Sequence, residues 1–270
     1  MPFLERHNAK IYYDLLPAQQ DSLEPHIVTL INGHTRSSGD FRLLARELTA
    51  AGISCLLLDN RSSGKSTNSA PEFSVTDMEN DVVALWDHLS ITKSSILGIS
   101  MGGFIAQAIA ARFSDRVKKL ILISTAANQK WIKKTKGEWI DSIGAIEDKL
   151  AAYFAPEFIV RNKLLFETMV RQTHKAILEG AFEERARQQK IALQNATITW
   201  NHSSINAETL IIHGDKDQII SVDAAKDLNR LVHHSTLLIM PDVGHLILAE
   251  SPRALYKNSI SWLLSSTTCL

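Results

Sequence analysis

The fold of this chain is decided by the nine residues SILGISMGG, numbered 95–103, and by the stretch FIAQAIAA that follows at 104–111. The first stretch is an apolar run of strand type that stops at Ser100, and the second has the composition of a helix. Gly98 and Gly102 lie two positions before and after the serine. A strand, a turn and a helix in this order are typical of a nucleophile elbow, in which the serine backbone is strained and side chains in place of the glycines would collide. The sequence therefore predicts that Ser100 is a nucleophile.

Apolar runs of the same kind recur along the chain and alternate with helical patterns. Their hydrophobicity is continuous rather than alternating, which indicates burial on both faces, as in a parallel sheet covered by helices. The predicted strands are residues 26–31, 54–59, 95–100, 120–124, 209–213 and 236–240, with 10–16 as a short antiparallel edge strand. These repeats predict an α/β fold with a doubly wound, mostly parallel sheet, in which functional groups lie at the carboxyl ends of the strands.

Two helix starts are predicted from capping patterns. Asp40 precedes the helical pattern of residues 41–51, and Thr76 with Glu79 has the spacing of a capping box.

The alternation of strands and helices stops between about residues 128 and 204. The sequence there is more polar and predicts only helices, at residues 139–154, 157–170, 175–179 and 183–194. We therefore predict an α/β core made of residues 1–127 and 205–270, with residues 128–204 inserted as a helical cap. The alternative is a second covering layer that takes no part in a site. A cap would supply apolar pocket walls, for which the candidates are Trp131, Trp139, Phe154, Phe158, Phe166 and Met169.

A serine nucleophile needs a base, and the base needs an orienting acid. Asp215 and Asp217 follow the predicted strand at 209–213, and His245 follows the next predicted strand. Asp242 precedes the histidine in the same loop. Because these groups all lie just past strands, they are expected at the same edge of the sheet as the serine. Loop position alone leaves all three carboxylates open as the acid.

Four motifs make the chain resemble the α/β-hydrolase family over nearly its full length. They are GISMG at 98–102, INGH at 31–34, DNRSSGKS at 59–66 and GDKDQIIS at 214–221. Three residues depart from the family pattern, since Asn32, Ser62 and Ser221 stand where a histidine, a glycine and a proline are usual. The nucleophile, the acid and the histidine occur in the family's order.

The resemblance implies that Ser100 is the nucleophile, His245 the base and Asp217 the orienting acid. It also implies an oxyanion hole formed by the backbone N–H groups of Met101 and His34, with the His34 side chain as a pocket wall. Some family members take their acid from the end of the strand before the cap. That stretch, STAAN at 124–128, has no carboxylate here, which favours Asp217.

These residues predict a hydrolase that needs no cofactor or metal and cleaves a small carboxylic ester through an acyl-enzyme. The serine argues against the family's dehalogenases and epoxide hydrolases, which use a carboxylate nucleophile. In its size and its predicted helical cap, the chain also resembles 3-oxoadipate enol-lactonases and the esterases that cleave pimeloyl-carrier-protein methyl ester. A C–C bond hydrolase with the same triad is a further alternative. From another class, a ligand-binding receptor or pseudoenzyme would keep the fold without turnover.

Composition limits the expected partners. The 29 basic and 29 acidic residues balance, so no global field recruits nucleic acid or an anionic membrane. Basic residues at 130–136 would suit an acyl-carrier protein, although a solvated surface explains them more simply. The first eight residues lack the apolar run of a signal peptide, and the two cysteines, Cys55 and Cys269, lie far apart. We expect a cytoplasmic protein with a small-molecule ester as its ligand.

Overall fold

The computed structural model describes residues 2–20, 26–128, 145–178, 182–196 and 200–266. Several residues singled out above lie outside these ranges: Trp131, Trp139, the basic residues at 130–136, and Cys269.

Within the described residues, nine strands form one sheet at the centre of the fold. The strands are β1 (Phe3–Arg6), β2 (Ala9–Leu16), β3 (His26–Ile31), β4 (Ile53–Leu58), β5 (Thr67–Asn68), β6 (Ser94–Ile99), β7 (Val117–Ile123), β8 (Glu208–Gly214) and β9 (Ser235–Met240). Their order is β1-β2-β4-β3-β6-β7-β8-β9, and β5 pairs with β2. Neighbouring strands from β4 to β9 in this order are parallel, whereas β1, β2 and β5 pair antiparallel.

The predicted α/β architecture is therefore confirmed, with one difference. The predicted edge strand at 10–16 is β2, which lies inside the sheet because β1 pairs with its outer side.

Helices cover both faces of this sheet. They are α1 (Arg42–Ala50), α2 (Val75–His88), α3 (Met101–Arg112), α4 (Ala145–Ala151), α5 (Pro156–Arg161), α6 (Lys163–Leu178), α7 (Phe182–Gln194), α8 (Val222–Leu231), α9 (Ile247–Glu250) and α10 (Pro252–Leu264). Strand β7 shows the two-sided burial, since Leu120 and Leu122 belong to one buried cluster with residues of α2 and α3, and Ile121 and Ile123 belong to another with residues of α1 and α10. None of the helices in the described ranges is long and apolar enough to cross a membrane.

Helix α2 begins two residues earlier than its capping pattern predicts. Its capping box pairs Ser74 with Asp77 instead of Thr76 with Glu79: Ser74 Oγ accepts from the Asp77 N–H at 3.1 Å, and Asp77 Oδ2 accepts from the Ser74 N–H at 2.8 Å. Glu79 is buried inside the helix and forms an ion pair with Arg112 at 2.8 Å. The glutamate is therefore engaged in a tertiary contact rather than a cap.

Between β7 and β8 the described residues form α4 to α7 and no strand. The predicted helix at 157–170 is divided at Asn162, and residues 175–178 belong to α6. Phe154 packs 5.5 Å from the Phe158 ring and 5.8 Å from the Phe166 ring, and Met169 packs against the same cluster. These four candidate wall residues thus form an apolar centre among the inserted helices. The division of the chain at residues 128 and 204 stays a prediction.

Backbone packs closely on backbone around the turn after β6. A Cβ on Gly98 would overlap the Gly102 carbonyl group, lying 2.7 Å from its carbon, and would lie 2.9 Å from the Cβ of Ala106. A Cβ on Gly102 would overlap the carbonyl group of Ile31, at the end of β3. Backbone atoms cannot move aside as a flexible side chain can, so α3 reaches the sheet only with glycine at both positions.

We expect Gly98→Ala to lower the free energy of unfolding by about 3 kcal/mol or more, because the new methyl group meets fixed backbone. Gly39→Ala is the matched control, since a Cβ there lies 3.4 Å from Ser37 Oγ, an ordinary contact. Urea unfolding followed by circular dichroism measures both variants. Equal stability of the two alanine variants would contradict the steric argument.

Candidate active site

Ser100 adopts a left-handed backbone conformation between β6 and α3, with φ 53° and ψ −115°. A residue with a side chain in such a region costs on the order of 1–3 kcal/mol, so the surroundings must hold it there. Its N–H donates to the carbonyl of Ile123 at 2.9 Å, and its carbonyl accepts from Thr125 Oγ1 at 2.9 Å. Both partners belong to β7 or the loop after it, so the neighbouring strand fixes the turn. The serine is partly exposed although the whole of β6 is buried.

The structure brings Ser100, His245 and Asp217 together from the ends of three parallel strands. His245 Nε2 lies 3.1 Å from Ser100 Oγ, and His245 Nδ1 lies 2.7 Å from Asp217 Oδ2. A carboxylate only accepts hydrogen bonds, so Nδ1 carries the proton in the neutral imidazole and Nε2 is left as the acceptor. This arrangement can take a proton from the serine hydroxyl.

Asp217 is held as an ionised carboxylate by the loop that follows β8. Its Oδ1 accepts from the backbone N–H groups of Ile219 and Ile220 at 2.8 and 2.9 Å. Burial alone would raise the pKa of Asp217, but the charge of His245 and the hydrogen bonds from His213 and His245 outweigh that effect and hold the pKa well below its usual range. The side chain is therefore charged throughout the neutral range.

His213 is a neighbour of this site that the sequence analysis missed. The fully buried ring places Nε2 3.0 Å from the carbonyl of Ile220 and 3.2 Å from Asp217 Oδ2. Both partners are acceptors, so Nε2 carries the proton and the ring supports the same carboxylate oxygen that His245 contacts. The sequence feature that could have pointed to His213 is its position at the carboxyl end of a predicted strand, four residues before Asp217.

The other two candidate acids lie apart from the imidazole. Asp215 Oδ1 accepts from the backbone N–H of Asp242 at 2.7 Å, and both carboxylates lie 3.9 Å from Lys216 Nζ. Asp242 is largely exposed to solvent. Asp217 is thus the one of the three candidates that contacts His245.

The loop that carries His245 is fixed by the segment after α4. The backbone N–H of His245 donates to the carbonyl of Tyr153 at 2.9 Å, and the Tyr153 ring packs edge-on to the imidazole at 5.5 Å. The Glu250 carboxylate joins the two segments, since it accepts from the N–H groups of Gly244 at 3.1 Å and Ala155 at 3.0 Å. The position of the histidine therefore depends on residues inserted between β7 and β8.

Asn32, which replaces the family's usual histidine, organises the loop after β3. Its Nδ2 donates to the Ser37 carbonyl at 2.7 Å and to Asp40 Oδ2 at 3.0 Å, and its Oδ1 accepts from the Gly33 N–H at 2.8 Å. Asn60 Nδ2 donates to the Asn32 carbonyl at 2.9 Å from the neighbouring loop. The expected cap role of Asp40 is therefore wrong: its carboxylate is used by this loop, and α1 has no side-chain cap.

The same loop borders the serine side chain. A Cβ on Gly33 would lie 3.3 Å from Ser100 Cβ and 3.9 Å from Ser100 Oγ. Among the described residues, the backbone N–H groups of His34 and Met101 donate to no protein group. The two groups predicted to form an oxyanion hole are thus free to bind an anionic oxygen, and Met101 lies at the start of α3, where the helix dipole favours one.

The family model described as the alpha/beta hydrolase fold matches residues 26–252 of this chain. The protein belongs to the α/β-hydrolase family. This α/β-hydrolase is 28% identical over 201 residues to 3-oxoadipate enol-lactonase 2 of Acinetobacter baylyi, covering 73% of each chain. It is 25% identical over 269 residues to a monoacylglycerol lipase of Mycolicibacterium smegmatis, covering 95% of this chain and 93% of the lipase. The enol-lactonase from Burkholderia xenovorans LB400 shares its fold, with a TM-score of 0.83 at 20% identity over 98% of this chain and 100% of the other.

In this α/β-hydrolase the side chain of His34 points to the inserted helices. Its Nε2 donates to the carbonyl of Ala186 in α7 at 2.9 Å. Burial lowers the pKa of His34, which keeps the ring neutral in the neutral range. This contact engages Nε2, and among the described residues the nitrogen that hydrogen-bonds to Ser100 Oγ belongs to His245.

Asp59 shapes the loop after β4, which carries the motif DNRSSGKS at residues 59–66. Its Oδ1 accepts from the Ser38 N–H at 2.6 Å and its Oδ2 from the Lys65 N–H at 2.7 Å. Gly64, with φ 51°, closes the loop over this carboxylate, where a Cβ would collide with it. The loops after β3 and β4 are therefore joined through one buried aspartate.

We expect the stability that Asp217 contributes to depend on pH in a definite direction. Its pKa is lower in the folded chain than in the unfolded chain, so the contribution is present above about pH 4 and is lost as the pH falls toward the folded value. Urea unfolding of the wild type and Asp217→Asn should show a difference that shrinks from about pH 5 to about pH 3. Asp215→Asn serves as the control. A difference that stays constant over this range would contradict the assignment of a lowered pKa.

Proposed function

We propose that this α/β-hydrolase is a serine hydrolase that cleaves a small carboxylic ester through a covalent acyl-enzyme. One observation carries the proposal: Ser100 Oγ lies 3.1 Å from His245 Nε2, while Asp217 holds the other ring nitrogen at 2.7 Å. A nucleophile in contact with a base, and a base in contact with an orienting acid, is the geometry that acyl transfer requires.

In the first half-reaction Ser100 Oγ attacks the carbonyl carbon of the ester as its proton passes to His245 Nε2. The carbonyl oxygen becomes an oxyanion between the N–H groups of Met101 and His34. When this intermediate collapses, the carbon–oxygen bond to the alcohol breaks and His245 gives the leaving oxygen its proton. Asp217 stays ionised and stabilises the imidazolium that forms between these two transfers.

In the second half-reaction a water molecule takes the place of the alcohol. It gives a proton to His245 Nε2 and attacks the acyl carbon, which produces a second oxyanion at the same N–H groups. Collapse of this intermediate breaks the bond to Ser100, and His245 returns the proton to the serine oxygen. Because water and three side chains account for every proton and electron pair, the proposed reaction needs no cofactor.

We also propose that the helices between β7 and β8 act as a cap over this site. Two contacts support the proposal, since Tyr153 accepts from the backbone of His245 and Ala186 accepts from the side chain of His34. A covering layer with no part in the site would not hold the base or the oxyanion loop. A lactone is a cyclic ester that the same steps would open, so the enol-lactonase among the relatives makes lactones the second substrate class to test.

Labelling and turnover test the proposal together. We expect the wild type to react with a fluorophosphonate probe at Ser100 and to release p-nitrophenol from short-chain esters, and we expect Ser100→Ala to do neither. Ser203→Ala, at an exposed serine away from the strand ends, is the control and should behave as the wild type. Assays with a series of acyl lengths and with lactones then define the substrate. A wild type that neither labels nor turns over would favour a receptor or pseudoenzyme.

Asp217→Asn should lower kcat by on the order of 10,000-fold, because an amide cannot hold the imidazole with Nε2 unprotonated. Steady-state kinetics on the best ester of the series measures this effect. Asp215→Asn removes a carboxylate two residues away and should leave kcat within about twofold of the wild type. Equal losses in both variants would contradict the assignment of the acid.

A further inference from the structure

Helix α7 contacts the loop after β3 through a buried side-chain amide. Gln189 is fully buried, although it lies in a helix whose sequence is mostly polar. Its Oε1 accepts from the backbone N–H of Thr35 at 2.7 Å, and its Nε2 donates to the carbonyl of Arg61 at 2.7 Å. One amide group thus joins α7 to the loops after β3 and β4.

The residue that Gln189 contacts has a strained backbone. Thr35 lies in the left-handed region with φ 62°, which is unfavourable for a β-branched residue. It directly follows His34, whose N–H is proposed as an oxyanion donor. The hydrogen bond from Thr35 N–H fixes the peptide group on the carboxyl side of His34, and Ala186 of the same helix fixes the His34 ring at 2.9 Å.

We propose that Gln189 is a positioning residue for the oxyanion hole. Its amide holds the peptide group between His34 and Thr35, and this keeps the His34 N–H directed at the oxygen that becomes negative during the reaction. Gln189 touches no reacting atom and acts through the loop. The inference rests on the proposed function, because it assigns a role within the acyl-transfer site.

The neighbouring glutamine supplies a matched control. Gln188 is also buried and also joins α7 to the core, since its Oε1 accepts from Ser62 Oγ at 2.6 Å and its Nε2 donates to the Ala70 carbonyl at 3.4 Å. These contacts do not involve the loop after β3. Loss of either glutamine therefore removes two hydrogen bonds between α7 and the core, but only loss of Gln189 frees Thr35.

The test compares Gln189→Met with Gln188→Met in the full chain. Methionine keeps the length of the side chain and removes both hydrogen bonds. We expect Gln189→Met to lower kcat by roughly 10- to 100-fold with KM nearly unchanged, since a displaced donor acts on the transition state more than on bound substrate. Gln188→Met should keep kcat within about threefold of the wild type. Thermal unfolding of both variants measures the structural loss that they share.

A second readout separates positioning from stability. Each protein is assayed with a pair of esters that differ only in an oxygen or a sulfur at the reacting carbonyl. Sulfur is a weak hydrogen-bond acceptor, so a formed oxyanion hole favours the oxygen ester and a displaced one loses part of that preference. We expect the oxygen-to-sulfur ratio of kcat/KM to fall at least about fivefold in Gln189→Met and to stay unchanged in Gln188→Met.

Each outcome decides the inference. If Gln189→Met does not fold, Gln189→Asn against Gln188→Asn gives the same comparison, because the shorter amide no longer reaches Thr35. Equal kcat values and equal oxygen-to-sulfur ratios in the two positions would overturn the role of Gln189 while leaving the hydrolase intact. Failure of the proposed function looks different, since the wild type itself would then neither label at Ser100 nor turn over.

Discussion

The close approach of α3 to the sheet is the constraint on which the rest of the structure depends. Backbone meets backbone at Gly98 and Gly102, and no Cβ fits at either position. The approach holds Ser100 in a left-handed conformation, and the Met101 N–H at the start of α3 donates to no group among the described residues. A position that is costly for the backbone thus becomes the position where the proposed nucleophile and the proposed anion-binding N–H group meet.

The groups around Ser100 are held in place by hydrogen bonds from different parts of the chain. Asp217 is fixed by N–H groups of its own loop, whereas His245 is held by the carbonyl of Tyr153. The loop with His34 is shaped by Asn32 from within and by Gln189 from α7. The inserted helices therefore share with the core the task of placing the base and the oxyanion loop. If these helices act as the proposed cap, they couple substrate choice to the geometry of the proposed site.

Sequence patterns predicted the features that depend on neighbouring residues. The seven predicted strands were placed within three residues at every end, because a buried parallel strand is a continuous apolar run, whereas the short strands β1 and β5 were not predicted. Features that depend on distant partners were missed. The strand at 10–16 is not an edge strand because β1 pairs with it. Glu79, which was expected to cap a helix, instead forms an ion pair with Arg112. Asp40 was likewise used by Asn32 instead of by the helix that follows it.

The sequence by itself determined the α/β class, the turn at Ser100 and the candidate acids and base for this serine. Glycine spacing, apolar runs and the residues that follow strands are all local properties of a sequence. The family resemblance favoured Asp217 as the acid, but only the tertiary structure showed which carboxylate contacts His245, because Asp215, Asp217 and Asp242 all lie in loops after strands. It also decided that His213 supports Asp217 and that Gln189 reaches Thr35. Hydrogen bonds extend over about 3 Å and connect residues far apart in the chain, so no spacing along the sequence reveals them.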